Sequence, residues 1–316
     1  MKFSLLQQDL LPKLQSVARS VGVRSNLPVL DNILISLEGG RLKLAATNLE
    51  VGVIKYLNVE DNEPGELTVP AKVFLEVISG LGQVEISFES SGETLKLTAG
   101  KFKADLNGIA ATEFPTIPLA GSEGVKFSKE VLLSSAQILF ACAVDEGRPQ
   151  LTGVLTQSIR GSLELVATDG FRLAHRTIKL EKHTLRTSAS PSIEGFKVLI
   201  PKKTFEEILR VLSEEEVDEI NVSIAEKQNQ IIFNLGQTIV SSRLIEGLFP
   251  AWEKIIPEKF ITRVVLEKED ILKSLKLASV FAKNEANIIN MSISNPPVFD
   301  RETQTESAGG QLTINS

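Results

Sequence analysis

The chain has 316 residues, 42% hydrophobic and 23% charged, and its formal net charge of −6 speaks to solubility rather than to any one partner. That length leaves room for two to three domains with cores of their own, and the single cysteine, Cys142, excludes a disulfide framework and suits a reducing compartment. No apolar run approaches the roughly 18 residues of a membrane span, and MKFSLLQQDLL lacks the core and cleavage site of a signal peptide, so a cytoplasmic protein without membrane contact is expected.

Lys2-Phe3-Ser4 opens a strand that leads into an amphipathic helix. Leu10, Leu14, Val17 and Val21 fall at helical spacing, with Asp9 as N-cap and Pro12 in the first turn, where its missing N–H costs nothing. A β-hairpin follows, residues 31–37 with 42–46, around Glu38-Gly39-Gly40. ELTVPAKVFLEVISGL (residues 66–81) reads as a strand, a proline that opens a helix, and a helix with one apolar face. Alternating strands at 84–88 and 95–98 complete the unit, which closes on Phe114-Pro115 and a linker ending at Pro118.

The same order then recurs. Lys126-Phe127-Ser128 repeats the opening, and residues 129 to about 144 read as a second helix, with Cys142 a buried thiol in its apolar run. Pro28 maps to Pro149, Leu30 to Leu151, Leu42 to Leu163 and Ala46-Thr47-Asn48 to Ala167-Thr168-Asp169, at a constant offset of 121 residues (149 − 28). The second hairpin pairs 153–158 with 163–167 around Arg160-Gly161-Ser162; KVLIPKKTFEEILRVL (197–212), strands at 220–224 and 231–235, and Phe249-Pro250 complete the copy. A third copy starts at Arg263 with an opening strand, a helix carrying Ile271, Leu275 and Ala278, and a strand through Ile293. A polar segment (295–310) replaces the short turn, and QLTINS aligns with residues 42–46. Half a two-layer domain lacks its covering partner, so the chain is read as truncated or as completed by another polypeptide. A chain that repeats a domain is building a geometry, and function is expected to lie in that geometry.

LPVLDNI, ATDGFRLA, the helix starts TVPAK and LIPKK, and EGLFPAWEKIIP resemble the bacterial DNA polymerase III sliding clamp (beta subunit) family, in order from residue 1 to about 294. The resemblance implies an α+β DNA-clamp fold: repeated domains with sheets outside and two helices per domain lining a ring. Its domains would be 1–120, 121–258 and an incomplete 259–316. It further implies a homodimer closed head to tail around double-stranded DNA, a non-catalytic subunit of the polymerase III holoenzyme, and no cofactor. DNA polymerase III and clamp loader subunits would bind through short peptide motifs. The alternative is a clamp-derived fragment that binds partners without closing a ring.

Two surfaces follow. The helices offer basic residues inside an acidic protein: Lys13, Arg19, Arg24, Lys72, Arg148, Lys202, Lys203, Arg210, Lys273, Lys276 and Lys283. Lys72, Lys202 and Lys203 stand in first turns, where the helix dipole disfavours cations by about 0.3–1 kcal/mol each, and a rule broken at equivalent places in two repeats points to phosphate attraction. By resemblance Arg24 and the loop of Arg148, Pro149 and Gln150 would also touch DNA, in contacts that carry no sequence information. The second surface, again by resemblance, is a pocket for partner tails walled by Leu151, Thr168, Gly170, Phe171, Arg172, Leu173, Pro250, Lys254 and Ile255. Trp252 reads either as added apolar surface there or as core packing.

Catalytic chemistry is not legible. His175 and His183 lack ligand spacing with other metal-binding residues, no phosphate loop is present, and Ser213-Glu214-Glu215-Glu216 reads as a solvated helix end. An enzyme using Asp169 and His175 has no supporting nucleophile motif.

Overall fold

The structure, a computed structural model, describes residues 1–22, 27–60, 63–119, 124–145, 147–179, 197–225, 228–259, 262–283, 288–294, 299–300, 305–306 and 311–315. They fall into two compact units, Met1–Pro250 and Ala251–Ser316.

In the first repeat β1 (Lys2–Leu6) runs directly into α1 (Gln7–Ala18). Asp9 is not the N-cap: Leu6 holds that position, and Asp9 sits in the first turn, where its charge suits the dipole. The helix starts early because β1 is pinned to its partner strand through Leu6↔Glu85 and the Gln7 N–H donates to the Val84 carbonyl at 2.9 Å, so no side-chain cap is needed. Pro12 consequently lies past the first turn, inside the helix. The hairpin forms as expected from β2 (Asn32–Glu38) and β3 (Arg41–Thr47), joined by Gly39 and Gly40, both at positive φ as a two-residue turn of this hand requires. Then come β4 (Val51–Asn58), β5 (Gly65–Pro70), α2 (Ala71–Gly80), β6 (Glu85–Ser91), β7 (Thr94–Ala99) and β8 (Phe102–Asn107).

The second repeat follows the same order: β9 (Val125–Ser128), α3 (Lys129–Leu133), β10 (Gly153–Ile159), β11 (Ser162–Thr168), β12 (Leu173–Lys179), β13 (Lys197–Pro201), α4 (Lys202–Glu214), β14 (Glu219–Ala225), β15 (Gln230–Leu235) and β16 (Thr238–Arg243). The helix expected over 129–144 stops at Leu133 and continues only as short 3-10 turns, Ser134–Gln137 and Leu139–Ala141. The cause is local: the hydroxyls of Ser134 and Ser135 donate to the carbonyls of Val131 and Leu132 at 2.6 Å each, tightening the chain away from α-helical pairing.

The strands form two four-stranded sheets, β1-β6-β7-β8 and β12-β11-β10-β13, and one eight-stranded sheet, β5-β2-β3-β4-β16-β15-β14-β9. The long sheet fuses the repeats: β4 pairs with β16 in antiparallel register, Ile54 opposite Ile239 and Val53 opposite Val240. One face of this sheet carries a core drawn from both repeats, including Ile54, Phe114, Ile117, Ile232 and Ile239. The helices pack in pairs, α1 with α2 and α3 with α4, over the larger core.

In the second unit α5 (Lys268–Ala282) precedes β17 (Asn290–Ser294), β18 (Phe299–Asp300), β19 (Thr305–Glu306) and β20 (Gln311–Asn315). β17 pairs with β20, as the alignment of QLTINS led us to expect. The opening strand expected after Arg263 is absent: residues 262–267 are irregular. In the first two copies that strand pairs with one from the second half of its own repeat (β1 with β6, β9 with β14), and among the described residues nothing plays that part here.

The acidic run at the end of α4 is largely exposed, as expected, with Ser213, Glu214 and Glu216 at the surface and Glu215 half-buried, but two of its carboxylates have partners. Lys55 of β4 is only 1% exposed, and its ammonium lies 3.2 Å from Glu214 and 3.1 Å from Glu215. Lys13 reaches Glu215 at 3.3 Å, Arg19 reaches Glu214 at 2.6 Å, and the Thr238 hydroxyl donates to Glu215 at 2.9 Å. Burial raises both carboxyls, but it is outweighed by hydrogen bonds from Arg19 and Ser16 to Glu214, from Thr238 and Lys55 to Glu215, and by the neighbouring cations. Both therefore sit below the ordinary glutamate value of 4.5. Depressed folded values mean that their stabilisation is present above that pH and is lost as pH falls through the folded values. Lys55→Met should cost about 1–3 kcal/mol at neutral pH by removing the buried cation that Glu214 and Glu215 face, against under about 1 kcal/mol for the more exposed Lys13→Met. Urea titrations at neutral and acid pH check this: the Lys55→Met deficit should shrink once the glutamates protonate.

Candidate functional site

The turn between β11 and β12 is built by two short side chains. The Thr168 hydroxyl donates to the Arg172 carbonyl (2.7 Å) and accepts from the Gly170 N–H (3.0 Å). Asp169 accepts from the N–H groups of Phe171 and Arg172, both at 2.9 Å, and from Arg172 Nε at 2.9 Å. These bonds, led by the backbone N–H of Arg172, hold the Asp169 carboxyl below the usual aspartate range. Gly170 stands at φ +94°, and an added Cβ would meet the Arg148 guanidinium at 3.0 Å. Arg148 itself donates to the Asp169 carbonyl at 3.1 Å, so the loop and the turn are joined.

The first repeat has the same turn. Thr47 donates to the Val51 carbonyl and accepts from the Leu49 N–H; Asn48 accepts from the N–H groups of Glu50 and Val51. Here Leu49 takes the left-handed position, at φ +73°, without a glycine's freedom. What differs is what the turn shows: Glu50 is exposed and Val51 buried in one copy, whereas Phe171 and Arg172 are both exposed in the other.

Around the second turn, Leu151 and Thr168 are buried, Leu173 is half-buried, and Phe171 is 97% exposed. The Arg172 guanidinium lies 5.7 Å from the centroid of the half-exposed Phe140 ring. Pro250 is exposed at the end of the first unit. In the second unit Trp252 is buried while Lys254 and Ile255 are exposed, all on the 3-10 turn Trp252–Ile255.

The basic residues divide by their partners. Lys13, Arg19 and Arg210, read from sequence as lining cations, are spent on acids: Lys13 on Glu215, Arg19 on Glu214, and Arg210 on Glu207. Lys202 faces Glu206 at 3.7 Å. Lys72 and Lys203 are exposed in first turns that hold no acidic residue, and neither has an acid within 4 Å among the described residues. Arg148 is exposed beside the half-buried Gln150. Lys273, Lys276 and Lys283 are exposed in the second unit. Arg24 and His183 lie outside the described residues.

Sequence reasoning missed Lys55 as the partner of the glutamate run. The signal was a lysine among the inward residues of an apolar strand, VGVIKYLN. Among the described residues no group of three His, Cys, Asp or Glu side chains could hold a metal, and no helix is long and apolar enough to cross a membrane. Asp169 and His175 do not form a catalytic pair: Asp169 is spent on the turn, and His175 Nε2 stands 3.2 Å from the Thr177 hydroxyl.

Residues 1–118 match the model of the DNA polymerase III beta subunit N-terminal domain, and residues 128–251 that of its central domain. The chain belongs to the DNA polymerase III beta subunit family. It is 30% identical to the beta sliding clamp of Synechocystis sp. over 94% of this chain and 79% of that protein, and 31% identical to that of Escherichia coli K12 over 96% and 83%. The crystal structure of the DNA polymerase sliding clamp from Pseudomonas aeruginosa superposes with a TM-score of 0.82 at 28% identity, covering 100% of this chain and 85% of that one. The sliding clamp from Bacillus subtilis shares the fold, with a TM-score of 0.85 at 23% identity. The chain is thus an α+β DNA-clamp protein, a non-catalytic sliding-clamp processivity factor.

The two copies of the turn make a paired test. Gly170→Ala should destabilise by about 1–2 kcal/mol, because alanine disfavours positive φ, while Leu49→Gly should be neutral or stabilising for the same reason. Urea midpoints of the two variants check the sign of each.

Proposed function

We propose that this clamp holds duplex DNA through unpaired lysines at helix starts and tethers the replicative polymerase through the Thr168–Leu173 turn. Two copies would close the ring, with clamp domains at 1–120, 121–258 and 259–316, in the cytoplasm. The observation that carries the reading is the pair Lys72 and Lys203. They occupy equivalent first turns in two repeats, against the helix dipole and without an acidic partner among the described residues. Cations kept unpaired at a local cost are available to phosphates. Such contacts ignore base identity, and sliding needs that indifference. Arg24, Arg148 and Gln150 join the DNA-facing set on the resemblance, and Lys202 on its place in the same first turn as Lys203. The pairing of Arg148 with the Asp169 carbonyl also ties that loop to the partner-binding turn.

For partner tails, the half-buried Leu173, exposed Phe171 and Arg172 offer apolar surface with one cation beside it, which suits short extended peptides from the polymerase and the clamp loader. The Escherichia coli and Pseudomonas aeruginosa relatives are named as sliding clamps, and a Pseudomonas aeruginosa clamp at 28% identity was crystallised bound to griselimycin. The inclusion of Pro250, Lys254 and Ile255 rests on the resemblance alone.

Replacing Lys72 and Lys203 together with alanine should lower the slope of log affinity against log salt by up to about 3.6 on circular duplex DNA, four phosphate contacts in a ring of two copies at about 0.9 each. An unchanged slope would remove both lysines from the DNA-facing surface. Leu173→Asp should weaken binding of a polymerase C-terminal peptide at least tenfold while leaving DNA retention as it was. Peptide affinity that survives the change would place the pocket elsewhere.

A further inference from the structure

The 121-residue offset carries Phe171 and Arg172 of the partner-binding turn back to Glu50 and Val51 of the first repeat. Those two residues line a cavity of about 780 Å³, within the size range of ligand sites. The remaining lining comes from the second repeat: Arg243 and Ile245 at the exit of β16, Lys203 at the start of α4, and Val144, which is 87% exposed. The turn that walls the partner pocket in one repeat therefore also borders a cavity in the other.

We propose that this cavity is a second peptide site, taking an extended segment of a partner protein that sets an aliphatic side chain beside a single carboxylate. The proposal rests on reading the Thr168–Leu173 turn as a partner-binding wall, and extends it to that turn's copy. Charge selects the occupant. Lys202 is matched by Glu206 at 3.7 Å, while Glu246 accepts from the Asn229 amide at 3.2 Å, a neutral donor that leaves its charge in place. Lys203 and Arg243 have no acid within 4 Å among the described residues, so a carboxylate entering the cavity meets two unspent cations. Glu50 and Glu246, without cationic partners within 4 Å among the described residues, repel a second carboxylate and restrict the occupant to one beside Lys203 and Arg243. Val144 and Ile245 supply the apolar surface for a neighbouring side chain, over the buried Val51.

The backbone excludes strand addition at this wall. The Glu50 carbonyl accepts from the Arg243 N–H at 2.8 Å, and the N–H groups of Leu244 and Ile245 donate to Asn229 and Leu199. With those groups taken, a peptide is held by side-chain capture rather than by a sheet ladder. Because Lys202 and Lys203 also belong to the DNA-facing set, peptide and duplex compete for this end of α4.

The test is fluorescence anisotropy of a fluorescein-labelled Ser-Leu-Asp-Leu-Ser peptide against the full chain, with circular dichroism to check the fold. Leu173→Asp should leave a residual binding event. In that background Arg243→Glu should weaken it at least tenfold, Val144→Asp should weaken it too, and Arg243→Lys should stay within about threefold. Loss of all binding in Leu173→Asp alone, or residual binding indifferent to both Arg243→Glu and Val144→Asp, overturns the second site while leaving the first pocket intact. Binding untouched by Leu173→Asp but abolished by Arg243→Glu would sink the first pocket and leave this one standing. If Arg243→Glu weakens only the capture of a short DNA duplex, the cavity is a phosphate contact and the proposal fails.

Discussion

The antiparallel pairing of β4 with β16 is the constraint on which the first 250 residues depend. Each strand ends a four-stranded half-sheet whose outer N–H and C=O groups would otherwise face water and invite aggregation. Pairing satisfies both edges at once and turns two repeats into one eight-stranded sheet. Shared packing of Ile54 and Ile239 on one face makes the joint apolar as well as hydrogen-bonded. Lys55 then adds direction. A lysine buried to this degree is tolerable only opposite carboxylates, and Glu214 and Glu215 come from the helix of the other repeat. Backbone pairing can slip along a strand, but a buried ion pair has one partner position, so the cluster fixes register.

Duplication explains why the two repeats share turns but not surfaces. Thr47 and Thr168 close the same loop with the same pair of hydrogen bonds, and Asn48 and Asp169 do the same work one residue on. Those four side chains set the backbone, which leaves the next residues free to vary. The first copy tolerates leucine at a left-handed position where the second has glycine, and the glycine lets the Arg148 guanidinium approach. A conserved scaffold with a divergent tip suits two different occupants.

The alternation of apolar residues and the Gly-Gly and Arg-Gly turns made the hairpins legible, and the prolines marked the starts of α2 and α4 correctly. Local signals failed where a distant partner or a competing hydrogen bond decided the outcome. Ser134 and Ser135 broke the predicted helix by bonding back to carbonyls, a competition that apolar periodicity does not register. Residues 262–267 lacked a strand to pair with, although their pattern suits one. The glutamate run looked solvated because its partner, Lys55, lies about 160 positions away in another repeat. For the candidate site, the offset between repeats picked out the turn whose copies differ, the resemblance implied a use for it, and neither could say which cations were free.

That last distinction bears most on function. An acidic chain can attract phosphate only if some of its cations escape its own carboxylates, and a list of basic residues does not say which do. Pairing removes Lys13, Arg19 and Arg210, all of them on helices and all plausible by position. Lys72 and Lys203 each have a glutamate four residues on, Glu76 and Glu207, yet neither pair closes within 4 Å among the described residues; Glu207 is instead engaged by Arg210. Neither first turn holds an acid, and that omission matters as much as the lysines. A glutamate at either first turn would gain dipole energy for the helix and lower the positive potential around the lysine. In the proposed DNA-facing reading, two repeats that both keep acids out of these first turns hold a positive surface that net charge conceals.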